Sequence, residues 1–218
     1  TCPTNNTLNY IKNLNIIDES KLKLLYDPAI IVKEINNKKK KKPKHQNYYL
    51  SAGRLTSQKN FIFLCKAFKK LIKLDKTIKL LIAGNGEKEI QLKEFIQNNN
   101  LSDNIILLGY VENIYPYLKN SKGFILTSLW EDPGFVLIEA SYCRVKILSS
   151  NSWPGPVELV QNNHNGFLFE SNNMNSFLSA FERFSKIKNE KSIKLNGLKM
   201  TKKFTLFSHY DHLSKILG

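Results

Sequence analysis

From Tyr48 onward, short apolar runs alternate with longer stretches whose apolar positions recur at helical spacing. The runs "YYLSAG" (48–53), "IKLLIAG" (78–84), "NIILLGYV" (104–111), "GFILTSL" (123–129), "VKILSS" (145–150) and "GFLFES" (166–171) predict strands. Between and after them, "NFIFLCKAFKKLIKL" (60–74), "EKEIQLKEFIQNNN" (87–100), "NIYPYLKNS", "GFVLIEASYC", "GPVELVQNN" and "NMNSFLSAFERFSKI" predict helices of differing length. Strands that are apolar throughout, rather than alternating, are strands covered on both faces. Separated by helices, they predict a doubly wound, parallel-sheet, Rossmann-like α/β domain over residues 46–185.

The flanks break this rhythm. "TNNTLNYIKNLN" predicts a helix and "KLKLLYDPA" a strand, cut off from whatever sheet they would join. Residues 1–32 are therefore read as the remnant of a preceding domain, and residues 33–45 as a Lys-rich linker. Residues 186–218 again predict helix, with "FTLFSHYDHLSKIL" as the last one. Its apolar residues Phe204, Leu206, Phe207, Leu213 and Leu217 are expected on one uncovered face. The chain begins with Thr, and the expectation is a fragment or processed chain that lacks an N-terminal half.

Composition changes this picture little. With 42% hydrophobic residues the chain is globular, and no apolar run approaches the roughly 18 residues of a membrane span. No secretory signal opens it. Cys65 and Cys143 sit in apolar helical stretches and read as buried free thiols, which favours a reducing, cytoplasmic setting.

The net charge of +15 invites a nucleic-acid reading, but its distribution argues against one. Residues 1–45 carry +6 and residues 183–218 carry +7, leaving +2 for the middle. The run "KKKKKPK" reads first as solvated linker. Peripheral attraction to an anionic membrane at its inner face is the functional alternative. Nucleic acid is not expected, because no aromatics interleave with those lysines.

The chemistry concentrates where the strands end. Ligands of such sheets bind beyond the carboxyl ends of the strands. There the sequence places "GRLTSQKN", "GNGE", "GYVEN", "WEDPG" and "NSWPG". Gly53, Gly84 and Asn85 supply turns on this rim. Arg54 can fork onto phosphate oxygens, and Lys59 adds a compact charge. Gly134 starts a helix whose free amides and dipole favour an anion. These are the parts of a diphosphate site. Glu139, embedded in "FVLIEASYC", is costly to bury unless something uses it. In the second turn of that helix, its oxygens can accept both hydroxyls of a ribose. Glu131, eight positions earlier, faces whatever lies beyond the phosphates. His209, Asp211 and His212 read as polar positions on a terminal helix, with no metal site expected.

The phrases "GRLTSQKN", "LLIAGNGE", "NIILLGYVENIYPYL" and "SLWEDPGFVLIEASYC" resemble the C-terminal half of a retaining glycosyltransferase of GT-B architecture, family 4, whose paired glutamates match Glu131 and Glu139. The resemblance covers roughly residues 46–182 and, more weakly, both flanks. It implies that Arg54 and Lys59 hold the diphosphate of a nucleotide-sugar, with the amides of Phe135 and Val136 near sugar and phosphate. It further implies Glu139 on the ribose, backbone at Tyr110 and Val111 on the base, and Glu131, the catalytic-site carboxylate, on the donor sugar. The phrase Asp132-Pro133-Gly134-Phe135 departs from the commonest family pattern, and Pro133 lacks an amide donor. Glu158, in the loop that would flank the sugar, reads as structural.

The implied activity is transfer of a hexosyl residue, with retention, from a UDP-sugar to a glycan or lipid-linked acceptor in cell-surface polysaccharide or lipopolysaccharide synthesis. Neither cofactor nor metal is implied. A non-catalytic nucleotide-sugar binding module and a basic membrane-surface or nucleic-acid adaptor are the competing expectations.

Overall fold

The computed structural model describes residues 1–38 and 43–218. Six parallel strands form one sheet: β1 (Tyr48–Ala52), β2 (Lys79–Ala83), β3 (Ile105–Gly109), β4 (Gly123–Leu126), β6 (Ile147–Ser150) and β8 (Phe167–Phe169). Their order is β3-β2-β1-β4-β6-β8. The chain thus winds outward one way from β1 and then the other way from β4, so a crevice opens where the order reverses. Two further strands of two residues each, β5 (Trp130–Glu131) and β7 (Trp153–Pro154), pair in parallel beyond the sheet.

Helices cover both faces. On one lie α3 (Phe61–Leu74), α4 (Glu89–Asn98) and α8 (Met174–Lys186), on the other α5 (Tyr115–Asn120), α6 (Phe135–Tyr142) and α7 (Gly155–Leu159). The alternation of side chains along β1 explains the division: Tyr49 enters the first core, while Tyr48, Leu50 and Ala52 enter the second. The first core is rich in phenylalanine. Tyr49 meets Phe181 edge-on at 5.1 Å, and Phe169 meets Phe177 likewise at 5.1 Å. Fully burying such a ring contributes about 1.5–3 kcal/mol, so this face anchors the sheet that carries the site.

The flanks fold onto the domain. Helix α1 (Asn5–Asn13) is capped by the Thr4 side chain. The strand expected over residues 21–29 does not form. Only single bridges occur, Cys2 with Leu24 and Ile30 with Thr205, because no neighbouring strand offers a longer ladder. Residues 33–38, expected within a linker, lie in helix α2 (Val32–Lys38), where Ile35 is buried and joins the cluster containing Tyr26 and Ile30. The rest of the basic run at residues 39–42 lies outside the described residues.

At the other end, α9 (Glu190–Met200) packs behind α6, and a 3-10 turn leads into α10 (Leu206–Leu217). Phe204 was expected on the exposed face of this last helix, and the structure corrects that. It lies in the turn before α10, fully buried, with its ring 5.0 Å from that of Tyr26. The amphipathic pattern located apolar residues but not which of them a partner covers. Leu206, Phe207 and Leu217 are exposed, and Leu213 is half-buried.

Candidate functional site

The loops that leave the strand ends are laced together by backbone hydrogen bonds. Gly53 donates to the Ala83 carbonyl at 3.0 Å, Gly84 to that of Gly109 at 2.7 Å, and Leu55 to that of Asn85 at 2.8 Å. Three neighbouring turns therefore form one rigid rim. Above it opens a cleft of about 510 Å³. It is lined by all the residues expected on the rim: Gly53, Arg54, Lys59, Gly84, Asn85, Tyr110, Val111, Glu131, Gly134, Phe135, Val136 and Glu139. The structure thus brings these candidate residues together on one cleft.

The two cations stand differently. Arg54 is exposed and pairs with no carboxylate among the described residues. Lys59, just before α3, forms a nearly buried ion pair with Glu131 Oε1. Ser128 Oγ donates to the same oxygen at 2.6 Å. Glu131 is thus held by a cation and a hydroxyl, which offsets the cost of burying it at 6% exposure. The strand β5 that carries it is fixed from the side by Gln58, whose amide donates to the Trp130 carbonyl at 2.9 Å.

Helix α6 begins after Gly134, whose φ of 92° lies in the left-handed region where a side chain would be strained. That turn brings Phe135 and Val136 to the cleft, and as first-turn residues their amides lack intrahelical partners. One turn further, Glu139 is half-buried and accepts a hydrogen bond of 2.8 Å from the Tyr115 hydroxyl. Burial raises the Glu139 carboxyl above the usual carboxylate range, and the Tyr115 bond pulls it partly back. The Tyr115 hydroxyl is itself pushed up, first by burial and then by the nearby carboxylate.

Sequence reasoning missed Gln58, Ile114 and Tyr115. Ile114 and Gln58 line the cleft, and Tyr115 orients Glu139. The only signal for Tyr115 was its place at the start of the helix after β3. Two residues outside the cleft resolve plainly. Glu158 accepts from Asn5 Nδ2 and from the Asn6 amide, both at 3.1 Å, and ties α1 to α7. His209 Nδ1 lies 2.7 Å from the Tyr26 carbonyl, so that ring is engaged with backbone.

A model of the family described as Glycosyl transferases group 1 matches residues 32–200. Among curated relatives, an uncharacterized glycosyltransferase of Methanocaldococcus jannaschii is 37% identical over 112 residues, covering 51% of this chain and 28% of the relative. An Escherichia coli protein named UDP-Gal:alpha-D-GlcNAc-diphosphoundecaprenol alpha-1,3-galactosyltransferase is 33% identical over 161 residues, covering 72% of this chain and 41% of its own. These matches thus cover 28% and 41% of the relatives' own lengths. Of solved structures, a Staphylococcus aureus TarM variant in complex with Fondaparinux, alpha-GlcNAc-glycerol and UDP superposes with a TM-score of 0.79 at 22% identity. That match covers 99% of this chain and 42% of the other, and shows a shared fold: the Rossmann-like half of a GT-B architecture.

Proposed function

The chain belongs to the glycosyl transferases group 1 family, and from that premise we propose that its cleft binds a nucleotide-sugar donor for hexosyl transfer. The observation that carries this reading is the meeting of Arg54, Lys59, Glu131 and Glu139 on one cleft at the strand ends. Arg54 and Lys59 hold the donor diphosphate, with the first-turn amides of α6. Glu139, oriented by Tyr115, accepts the ribose hydroxyls. The base lies against Tyr110 and Val111, and Glu131 binds hydroxyls of the donor sugar.

The chemistry follows from those placements. The bond from the anomeric carbon to the diphosphate breaks, an acceptor hydroxyl oxygen bonds to the same face of that carbon, with retention, and its proton passes to the departing diphosphate. Negative charge grows on the departing diphosphate. Arg54, Lys59 and the α6 terminus are preorganised to stabilise it. The acceptor is a glycan or lipid-linked saccharide, in keeping with relatives named for diphospho-undecaprenol-linked acceptors. The donor is a UDP-sugar, in keeping with the fold's likeness to UDP complexes. The setting is the cytoplasm, with peripheral contact at the inner face of the membrane. No helix among the described residues is long and apolar enough to cross one.

Calorimetric titration of UDP tests the reading. Arg54→Ala removes one charge-assisted contact and should cost about 1.5–3 kcal/mol of binding. An unchanged affinity sinks the diphosphate assignment.

A further inference from the structure

Helix α1 comes from the segment before the domain, yet its first turn grips the two loops beside the cleft. Thr7 Oγ1 donates to Asp132 Oδ2 at 2.6 Å, and Thr4 Oγ1 lies 3.2 Å from Asp132 Oδ1. Thr4 Oγ1 also accepts from the Thr7 amide at 3.1 Å and so caps α1. Asn6 Nδ2 donates to the Pro154 carbonyl at 2.8 Å, while Glu158 takes the Asn5 side chain and the Asn6 amide. Two carboxylates, Asp132 and Glu158, thus meet the positive end of α1, a favourable arrangement; Glu158 also pairs with Lys203 at 3.7 Å. Asp132 pairs with no lysine or arginine among the described residues.

Asp132 stands between the sugar-side carboxylate Glu131 and the turn Pro133–Gly134 that starts α6. Both Glu131 and Asp132 line the cleft, whereas Thr4 and Thr7 do not. We propose that Asp132 is a positioning residue, through which residues 4–7 set the geometry of the turn that meets the donor sugar. The proposal rests on the donor-site reading and adds to it. It makes the segment before the domain part of the machinery for sugar recognition, acting through a hydroxyl–carboxylate brace rather than by touching the ligand.

The placement accounts for a feature of the loop. A carboxylate next to the diphosphate site repels its ligand unless turned aside and satisfied elsewhere. The Thr7 hydroxyl, with Thr4 Oγ1 beside it, engages both carboxylate oxygens of Asp132 while the residue stays at the cleft wall.

The test uses the full chain, with UDP and UDP-glucose as probes, in Thr7→Val, Thr7→Ser, Asp132→Ala and the Thr7→Val/Asp132→Ala double variant. Thr7→Val keeps the side-chain shape, removes the hydroxyl and leaves the cleft lining intact. It should weaken UDP-glucose about fivefold, the scale of one hydrogen bond, and leave UDP within about twofold. Thr7→Ser should restore wild-type behaviour, and the double variant should be no worse than Asp132→Ala alone. A loss in Asp132→Ala without one in Thr7→Val means that Asp132 touches the sugar directly, and overturns the brace. Equal losses for both probes, in step with a lowered unfolding temperature, mean a purely structural contact and overturn it too. A wild type that binds neither probe fells the donor-site reading instead. Amide exchange over residues 134–142 then decides the brace: faster exchange in Thr7→Val upholds it, unchanged exchange overturns it.

Discussion

Lys59 and Glu131, 72 residues apart in sequence, are each other's ion-pair partner, with side chains only 14% and 8% exposed. Removing one partner of such a pair leaves the other charged, desolvated and unpaired. Lys59→Ala and Glu131→Ala should each destabilise the fold by about 3 kcal/mol, and the double variant should lose less than their sum. Arg54→Ala, exposed and unpaired, should leave stability unchanged while weakening UDP. Urea unfolding of the four variants checks this, and additive losses would mean that the pair is not formed in solution.

Glu139 makes binding and stability respond to acid in opposite directions. Its folded carboxyl titrates above the usual range because of burial. A group raised on folding stabilises most when protonated, and that contribution is lost as pH rises through the folded value. Acidification should therefore favour the ligand-free fold through this residue, while removing the charged acceptor proposed for the ribose. Tyr115→Phe deletes the bond that holds the carboxyl down, so loss of UDP affinity should set in at a higher pH than in wild type. Titrations across the mildly acidic range measure the midpoint, and a midpoint unmoved by Tyr115→Phe refutes the coupling.

The same carboxylate should distinguish sugars. Glu139→Gln keeps the shape but removes acceptor capacity, so UDP should weaken more than its 2′-deoxy analogue. Should both weaken equally, Glu139 is holding α6 and not the ribose.

How much of this was legible depended on range. The six sheet strands were readable because burial on both faces makes them apolar throughout, as in "LLIAG" and "FILTS". The rim residues were readable because strand ends and glycine turns are local signals. Strands β5 and β7 were not, since two residues carry no periodicity. Nor was the Lys59–Glu131 pair, whose partners meet only once β1 and β4 lie side by side. Phe204 was misplaced for a related reason. An amphipathic stretch reveals its apolar face but not whether Tyr26, nearly 180 residues earlier, covers it.

Phe204 yields a direct prediction. It is fully buried against Tyr26, and Ile30, beside it, donates its amide to the Phe204 carbonyl at 3.0 Å. Phe204→Ala should cost about 3–5 kcal/mol, the usual range for emptying such a site. It should also loosen residues 24–30, read as faster amide exchange there than over β1 and β2. Uniform exchange changes would mean that this segment is not held by the Phe204 contact.

The floor of the cleft offers the sharpest coupling of backbone to binding. Gly84 sits at φ +137°, and a Cβ built on it would lie 1.9 Å from the Gly53 carbonyl oxygen. No rotamer relieves that clash, because the obstacle is backbone. Gly84→Ala must push the turn of Gly53 and Arg54 away from β2, against the bond from the Gly53 amide to the Ala83 carbonyl. Strain of this kind costs more than the roughly 1 kcal/mol that a tolerated glycine replacement would gain. Arg54 moves with the turn, so UDP binding should fall by at least as much as in Arg54→Ala. Calorimetry on Gly84→Ala, at a temperature where circular dichroism shows it folded, separates the two effects. A folded Gly84→Ala protein that binds UDP as wild type does would mean that Arg54 reaches the diphosphate from either position of the turn, and the rim would lose its claim to preorganise the site.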